Sequence, residues 1–197
     1  MILNGIRKLG LVRNFYSSKI GQKWVENKLQ TVYPHIHKPN SILDIGCGNG
    51  LISHRLLELQ YNCIPLDVTN LSIIPNLKVQ LYDGQQLPYE DKSMDIALLL
   101  TVLHHTKDPV KVLKETARIA QKIIIIEDIY HNRLQQYLTY GMDTLVNLGH
   151  SSMTYQNKSD SEWKKVFEQL NLTLTSVCYR PILGVFRQAT YVLVGVE

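Results

Sequence analysis

The sequence Ile42-Leu43-Asp44-Ile45-Gly46-Cys47-Gly48-Asn49-Gly50 joins an apolar run to a glycine-rich turn. The apolar run predicts a short buried strand, and the spacing of Ile52, Leu56 and Leu59 predicts a helix directly after the turn. Glycine has no Cβ and tolerates a positive φ, so such a turn brings backbone N–H groups close to a ligand. The order of strand, glycine turn and helix therefore predicts a ligand site at the end of the first strand.

Strands and helices alternate through the following residues. The apolar patterns predict strands at 41–46, 62–68, 78–83, 94–101 and 122–129. Asp108-Pro109 predicts the start of a helix, because a cap residue precedes a proline at the first helical position. This alternation predicts right-handed βαβ units and a doubly wound, mostly parallel α/β sheet of the Rossmann type. Segments 172–179 and 189–196 are rich in Thr, Val and Tyr, which predicts a C-terminal antiparallel hairpin.

The length of 197 residues fits a single domain. The apolar pattern of residues 1–37 predicts a helical extension, which we expect to cap the substrate. A ligand-binding domain is expected at 38–197. A helical insertion is expected at about 129–158, where leucines recur at helical spacing. A substrate pocket is expected within it, from Tyr130, His131, Tyr137, Tyr140, Met142, His150 and Tyr155. The alternative for this insertion is a helix that packs on the sheet edge.

The composition is 45% hydrophobic and 19% charged, which is ordinary for a soluble globular protein. No apolar run approaches the ~18–20 residues of a membrane span. The three cysteines form no C-x-x-C pair, so neither a disulfide framework nor a zinc site is expected. The same cysteine usage makes a cytoplasmic location the expected one. His35 and His37 lack an evident third ligand, and we expect them to be solvent-exposed rather than metal-bound.

The net charge of +4 is unevenly distributed. Residues 1–30 hold six basic residues and one acid, a charge of +5, so the remaining chain carries −1. Broad nucleic-acid binding would need basic surface near the active site as well. Because the excess precedes the core, this pattern argues against a nucleic-acid partner. It leaves room for contact of residues 1–30 with an anionic membrane surface.

Two acids follow the second and third predicted strands. Asp67 ends the second strand, where a carboxylate can accept hydrogen bonds from both ribose hydroxyls of an adenosine cofactor. NAD-binding folds use the same device, but their fingerprint is G-x-G-x-x-G, whereas this chain has G-x-G-x-G. Asp83-Gly84 ends the third strand and precedes Gln85-Gln86-Leu87-Pro88.

These residues resemble the class I S-adenosylmethionine (SAM)-dependent methyltransferases. The glycine turn resembles their motif I, residues 83–95 resemble the D-[GA]-x-x-L-P-[FY]-x-[DE]-x-x-[FM]-D run of the UbiE/methyltransferase-11-like branch, and residues 102–109 resemble its V-L-H-H-x-x-D-P pattern. The resemblance covers about residues 40–128. It implies binding of SAM and release of S-adenosylhomocysteine.

The resemblance also implies roles for individual residues. Asp44 would support the turn and the amino group of SAM, Asp83 would contact adenine, and His105, or else His104, would face the transferred methyl group. Either histidine is a candidate general base. The implied cofactor contacts are Asp44, Gly46, Cys47, Gly48, Gly50, Asp67, Val68, Asp83, Gly84, Leu100 and Thr101. No metal ligands are implied.

The expected activity is methyl transfer to a small, apolar or aromatic molecule, at oxygen rather than nitrogen or carbon. The [DN]-P-P-[YF] tetrapeptide of nucleic-acid amino-methyltransferases is replaced by Thr101-Val102-Leu103-His104, which supports this expectation. One alternative is a peripheral membrane, and so membrane-associated, enzyme that methylates a lipid or quinone-like substrate. Another is a non-catalytic SAM-binding protein. The sequence indicates neither the substrate nor the oligomeric state.

Overall fold

The central strands form from apolar runs of the chain. In the computed structural model, which describes residues 19–130, 135, 157–182 and 186–195, these runs are β1 (Ser41–Ile45), β4 (Met94–Leu100) and β5 (Ala120–Ile129). Their residues are buried almost throughout, as expected for parallel strands covered on both faces. The other strands are β2 (Asn62–Asp67), β3 (Gln80–Leu81), β6 (Leu172–Ile182) and β7 (Phe186–Gly195).

The seven strands form one sheet in the order β3-β2-β1-β4-β5-β7-β6. β1 to β5 are parallel, whereas β7 runs antiparallel to both β5 and β6. The predicted Rossmann-like sheet with a C-terminal antiparallel hairpin is confirmed. The last strand of the hairpin enters the sheet between β5 and the first strand of the hairpin.

Four helices of the described segments flank this sheet: α1 (Lys19–Leu29), α2 (Leu51–Glu58), α3 (Pro109–Ile119) and α4 (Asp160–Gln169). Asp108 caps α3 by accepting the Lys111 N–H at 2.9 Å. Ser159 and Glu162 form a reciprocal capping box at the start of α4. Across the described ranges, no helix has the length and apolar character that crossing a bilayer requires.

The sheet separates two hydrophobic clusters. On one face, α1 and α2 bury Val25, Leu29, Ile52 and Leu56 against alternate residues of the central strands. On the other face, α3 and α4 bury side chains that include Leu113, Ile119, Trp163 and Phe167. The helix α1 therefore packs on the sheet as part of this domain.

Some predictions differ from the structure in extent. β3 spans Gln80–Leu81 instead of 78–83, because this edge strand pairs only with the end of β2. The hairpin strands are longer than predicted, since β6 continues to Ile182 and β7 begins at Phe186. The predicted helical parts at 1–18, 131–134 and 136–156 lie outside the described residues, as do the pocket residues of that insertion other than Tyr130.

Candidate active site

The turn between β1 and α2 has a left-handed backbone at its three glycines, with φ of 71° at Gly46, 51° at Gly48 and 78° at Gly50. A Cβ on Gly46 would lie 2.7 Å from both γ carbons of Val102, and one on Gly50 would lie 2.5 Å from Leu77 Cδ2. At Gly48 the nearest atom to such a Cβ is the Gly46 carbonyl oxygen, at 4.0 Å. Packing therefore requires glycine at the outer positions, whereas Gly48 borders space that a ligand can enter.

Asp67 holds this turn through its carboxylate. Its Oδ2 accepts the Gly48 N–H at 2.8 Å, and its Oδ1 accepts the Val68 N–H at 2.7 Å. Each carboxylate oxygen has two acceptor sites, so one remains at Oδ2 for a further donor. The predicted ribose contact is compatible with this geometry. The structure adds a second use of Asp67, which is to fix the position of Gly48.

Asp44 is buried on β1 and joins this strand to α2, because its Oδ2 accepts a hydrogen bond from the hydroxyl group of Ser53. Burial raises the pKa of Asp44 from 3.8 to about 6. The Ser53 contact links the two elements that flank the glycine turn, while the predicted support of the turn and the contact with the cofactor amino group stay predictions. The neighbouring Cys47 is also buried, which raises the pKa of its thiol well above the ordinary value and keeps it neutral.

The predicted adenine contacts meet between the ends of β2 and β3. Asp83 Oδ1 accepts the N–H groups of Gln85 at 2.8 Å and Gln86 at 3.0 Å, and these bonds lower the pKa of Asp83. Gly84 has a φ of 76°, and a Cβ there would lie 3.1 Å from Val68 Cγ1. The Val68 side chain is 54% exposed, so an apolar surface is available beside the Asp83 turn.

β4 is followed by Thr101, whose φ of 60° is rare for a β-branched residue. The Thr101 N–H donates to the Ile126 carbonyl at 2.6 Å, and its hydroxyl donates to the Leu100 carbonyl at 2.6 Å. Leu100 is buried in the cluster under α1 and α2. Such a strained backbone is retained where its surroundings determine it strongly, and it often occurs at functional sites.

Lys28 of α1 reaches the same strand end, a contact that the sequence pattern did not indicate. Its Nζ donates to Thr101 Oγ1 at 2.8 Å and lies 4.3 Å from the centre of the Trp24 ring. Burial lowers the pKa of Lys28 to about 8, although attraction to Asp128, Glu127 and Asp44 opposes this change. The ammonium group is therefore mostly charged at pH 7 and places a buried cation at the carboxyl edge of the sheet.

Glu127 is a buried carboxylate on β5 that binds the loop after β4. Its Oε1 accepts the N–H groups of Val102 at 3.1 Å and Leu103 at 2.8 Å, while its Oε2 lies 2.5 Å from His104 Nδ1. These contacts show support of the loop. They also give His104 a structural use that competes with the catalytic one.

His105 lies in the 3₁₀ helix Leu103–His105, and its ring centre is 4.0 Å from that of His104. Desolvation of the ring, followed by the charge of His104, lowers the pKa of His105 to about 4. The residue keeps an exposed surface, so water moderates this desolvation. At pH 7 the imidazole is neutral and can accept a proton. Of the two histidines, His105 is the one that is accessible.

The candidate site lies at the carboxyl ends of the parallel strands β1 to β4. These ends carry the glycine turn, Asp67, the Asp83 turn, Thr101 and His105. Open α/β sheets bind ligands at this edge. Within the described ranges, no group of three or more His, Cys, Asp or Glu side chains is arranged to hold a metal ion. His37 is exposed and His35 is half-buried.

This fold and this strand edge are those of the class I SAM-dependent methyltransferases. Residues 43–123 match the family described as "Methyltransferase domain", and this match together with the fold implies SAM as the cofactor. A SAM-dependent methyltransferase from Methanosarcina mazei has a TM-score of 0.67 at 16% identity, over 85% of this chain and 98% of that chain. The YcgJ protein from Bacillus subtilis has a TM-score of 0.68 at 16% identity, over 87% and 99%. At these identities the structures show a shared fold.

The curated relatives carry a single name. A "tRNA U34 carboxymethyltransferase" from Nautilia profundicola is 33% identical over 100 residues, which are 45% of this chain and 33% of the relative. A protein of the same name from Campylobacter fetus is 34% identical over 89 residues, 40% of this chain and 32% of the relative. The matches thus take in about a third of the relatives' length.

The expectation of a small-molecule substrate and no nucleic-acid partner is wrong. Five relatives, 25–34% identical, are all named as enzymes of tRNA. The basic segment precedes the core in sequence, but its described part is not remote from the core in the fold. Its helix α1 packs on the sheet, and Lys28 reaches Thr101. The missing tetrapeptide excludes amino-methylation of that type, but not modification of RNA at other atoms.

Proposed function

We propose that this chain modifies tRNA, with a uridine at position 34 as the target nucleoside. The shared name of the five relatives carries this proposal. The packing of a basic helix against the cofactor edge supports it, because a polyanionic substrate needs positive charge near the reacting group. The position of the nucleoside and the identity of the transferred group belong to the proposal alone.

The residues present fit SAM. Gly48 leaves space for a ligand, Asp67 keeps an acceptor site for ribose, and Val68 offers an apolar surface beside Asp83. When bound, SAM supplies an electrophilic carbon on a positively charged sulfur, which requires little covalent help. The main task of the protein is then to align donor and acceptor, with the entropy cost met by binding.

The acceptor atom loses a proton during transfer, and His105 is our candidate to receive it. The imidazole is neutral at pH 7, is accessible, and follows the end of β4. Glu127 keeps the His105 backbone in place by binding the N–H groups of the two residues at the start of this loop, Val102 and Leu103. His105 would therefore act as the base, whereas Glu127 and His104 would position it.

A second candidate is transfer of a carboxymethyl group instead of a methyl group. The relatives' name specifies carboxymethyl, and Lys28 is the observation that favours it here. A donor that carries a carboxylate needs a counter-charge near the transferred carbon. The Lys28 ammonium group is buried, is held at Thr101, and is charged at pH 7.

The test uses purified protein, SAM and an unmodified tRNA transcript with uridine at position 34. After digestion to nucleosides, mass spectrometry reports whether a group is added, and its mass separates methyl from carboxymethyl. The matched control is the same transcript with cytidine at position 34. We expect a product from the uridine transcript only. Because SAM supports only methyl transfer, a parallel reaction with a synthetic carboxylated SAM tests the second candidate. No product from either donor, in protein that binds S-adenosylhomocysteine, would contradict the proposal.

A further inference from the structure

The outward face of α1 is basic. Lys19 and Lys23 are one helical turn apart and both are exposed. In the part of the chain that the structure describes, neither forms an ion pair. The acid on this helix, Glu26, is engaged by Arg55 of α2 at 3.5 Å. The charges of Lys19 and Lys23 are therefore available to an anion from solvent.

Arg180 of β6 extends this face. Its Nη1 donates to the Asn27 carbonyl at 2.8 Å and lies 3.5 Å from Gln30 Oε1, so the guanidinium is fixed beside the last turn of α1. Both contacts use Nη1, and a guanidinium carries further N–H groups in a fork that matches phosphate oxygens. We name the surface formed by Lys19, Lys23 and Arg180 the α1 basic face.

The α1 basic face is continuous with the active site. Successive residues turn by about 100° around a helix, so Trp24 lies between the exposed row and the side that carries Lys28. The Trp24 side chain is 39% exposed, and the Lys28 ammonium beneath its ring contacts Thr101. Basic groups bordered by an exposed aromatic ring suit a nucleic acid, whose backbone is anionic and whose bases stack.

We propose that the α1 basic face binds the phosphate backbone of the tRNA beside the nucleoside that is modified. This inference rests on the proposed function, since it assumes that the substrate is tRNA. The sequence adds charge of the same sign directly upstream, because residues 1–18 contain Arg7, Lys8 and Arg13 and no acid. The helix would thus join substrate binding to the cofactor edge.

The test measures binding of a fluorescently labelled, unmodified tRNA transcript by anisotropy at several salt concentrations. S-adenosylhomocysteine is present throughout. The variant is Lys19→Gln/Lys23→Gln. The matched control is Lys38→Gln/Lys92→Gln, which removes the same charge from exposed residues near the amino ends of β1 and β4. A third variant, Arg180→Gln, is measured alongside.

Each lost phosphate contact lowers the slope of log K against log salt by about 0.7–0.9. We therefore expect the Lys19/Lys23 variant to bind with a slope shallower by about 1.5 and an affinity about five-fold weaker or more at low salt. Arg180→Gln should lower the slope by about half as much, and the control variant should match the wild type. Equal losses in the two double variants would overturn the inference.

Two further outcomes are distinguishable. Failure of the wild type to bind tRNA at all would count against the proposed function rather than the position of the surface. The second arm measures co-sedimentation with phosphatidylserine-containing vesicles. Loss of vesicle binding in the Lys19/Lys23 variant, with tRNA binding intact, would overturn the inference and assign the α1 basic face to membranes. Binding of S-adenosylhomocysteine should be equal in all variants.

Discussion

Glu127 and His104 form a buried pair in which Oε2 of the carboxylate lies 2.5 Å from Nδ1 of the imidazole. The same carboxylate binds the N–H groups of Val102 and Leu103. Val102 in turn packs against Gly46, where a Cβ would lie 2.7 Å from its γ carbons. One acid on β5 thus fixes both the histidine loop and a wall of the glycine turn, so the two sides of the site share a support.

Removal of the Glu127 carboxylate should destabilise the fold. Glu127→Ala leaves three donors without an acceptor, two of them buried, and we expect a loss of about 3–5 kcal/mol in the free energy of unfolding. Glu127→Gln keeps one oxygen for the two N–H groups and should lose less, about 1–2 kcal/mol. Urea unfolding measures both. Asp128→Asn, which affects a bond to Gln188, is the control. Similar losses for Glu127→Ala and the control would contradict this account.

His105→Ala separates base catalysis from alignment. If His105 is the base, the variant should lower kcat by about 10²–10⁴-fold with the affinity for S-adenosylhomocysteine retained. Because the pKa of His105 is lowered to about 4, wild-type activity should fall below this pH and not near 6.5. A loss confined to KM would indicate a role in shaping the pocket. His104→Ala should instead reduce stability, since it breaks the pair with Glu127.

Asp67→Ala should weaken binding of SAM by roughly 1.5–3 kcal/mol, the range for hydrogen bonds to a charged group. Calorimetry on the purified protein gives the dissociation constants of SAM and S-adenosylhomocysteine, which we expect in the micromolar range for the wild type. Circular dichroism controls for folding, because Asp67 also holds Gly48. An unchanged constant, or binding of NAD in place of SAM, would refute the assignment of this residue.

Asp44→Asn should make the protein more stable above pH 6. Burial raises the pKa of Asp44 from 3.8 to about 6, so folding favours the protonated acid. The protonated acid therefore contributes to the free energy of unfolding of the wild type below pH 4, and this contribution is lost as the pH rises through 6. The variant should therefore equal the wild type at low pH and exceed it by about 3 kcal/mol above pH 6. Unfolding at a series of pH values measures the difference.

Asp95→Asn is the control of opposite sign for this experiment. Hydrogen bonds from Ser41 lower the pKa of Asp95, so its contribution is present above pH 4 and is lost as the acid is protonated. This variant should therefore be less stable than the wild type at neutral pH. The same pH dependence in both variants would show that general charge effects dominate.

Lys28→Met should separate stability from function. The net lowering of the Lys28 pKa means that burial outweighs attraction to the three nearby carboxylates. An apolar side chain of similar length should therefore not reduce the free energy of unfolding at pH 7. Turnover on tRNA should nevertheless fall at least about ten-fold, the effect of one lost hydrogen bond to a charged group. Lower stability with normal turnover would show that Lys28 supports the fold alone.

The strand ends that carry the candidate site were predictable because their sequence signals are local. The strand before Gly46, the acid at the end of β2 and the histidines after β4 each follow a recognisable apolar run. Parallel topology then brings these strand ends to one edge. The lengths of β3 and β7 were less accurate, because pairing with distant strands determines where a strand ends.

Contacts between distant segments account for what was missed. Lys28 had a local signal, because it falls between the buried residues Val25 and Leu29 of α1. Glu127 had one too, as an acid within the run of isoleucines in β5. Neither signal indicates which residue the side chain contacts in the fold. The contacts Lys28 to Thr101 and Glu127 to His104 arise only when the sheet brings separate segments together.

The position of β7 has a consequence for the synthesis of this chain. β7 follows every other described strand in sequence, yet it pairs with β5 on one side and β6 on the other. While residues 186–195 are still on the ribosome, the isoleucine-rich edge of β5 has no neighbour and β6 has no strand to join. Unpaired apolar edges of this kind associate with other chains. The interval between translation of β5 and β7 is therefore the stage at which these strand edges are open to association with other chains.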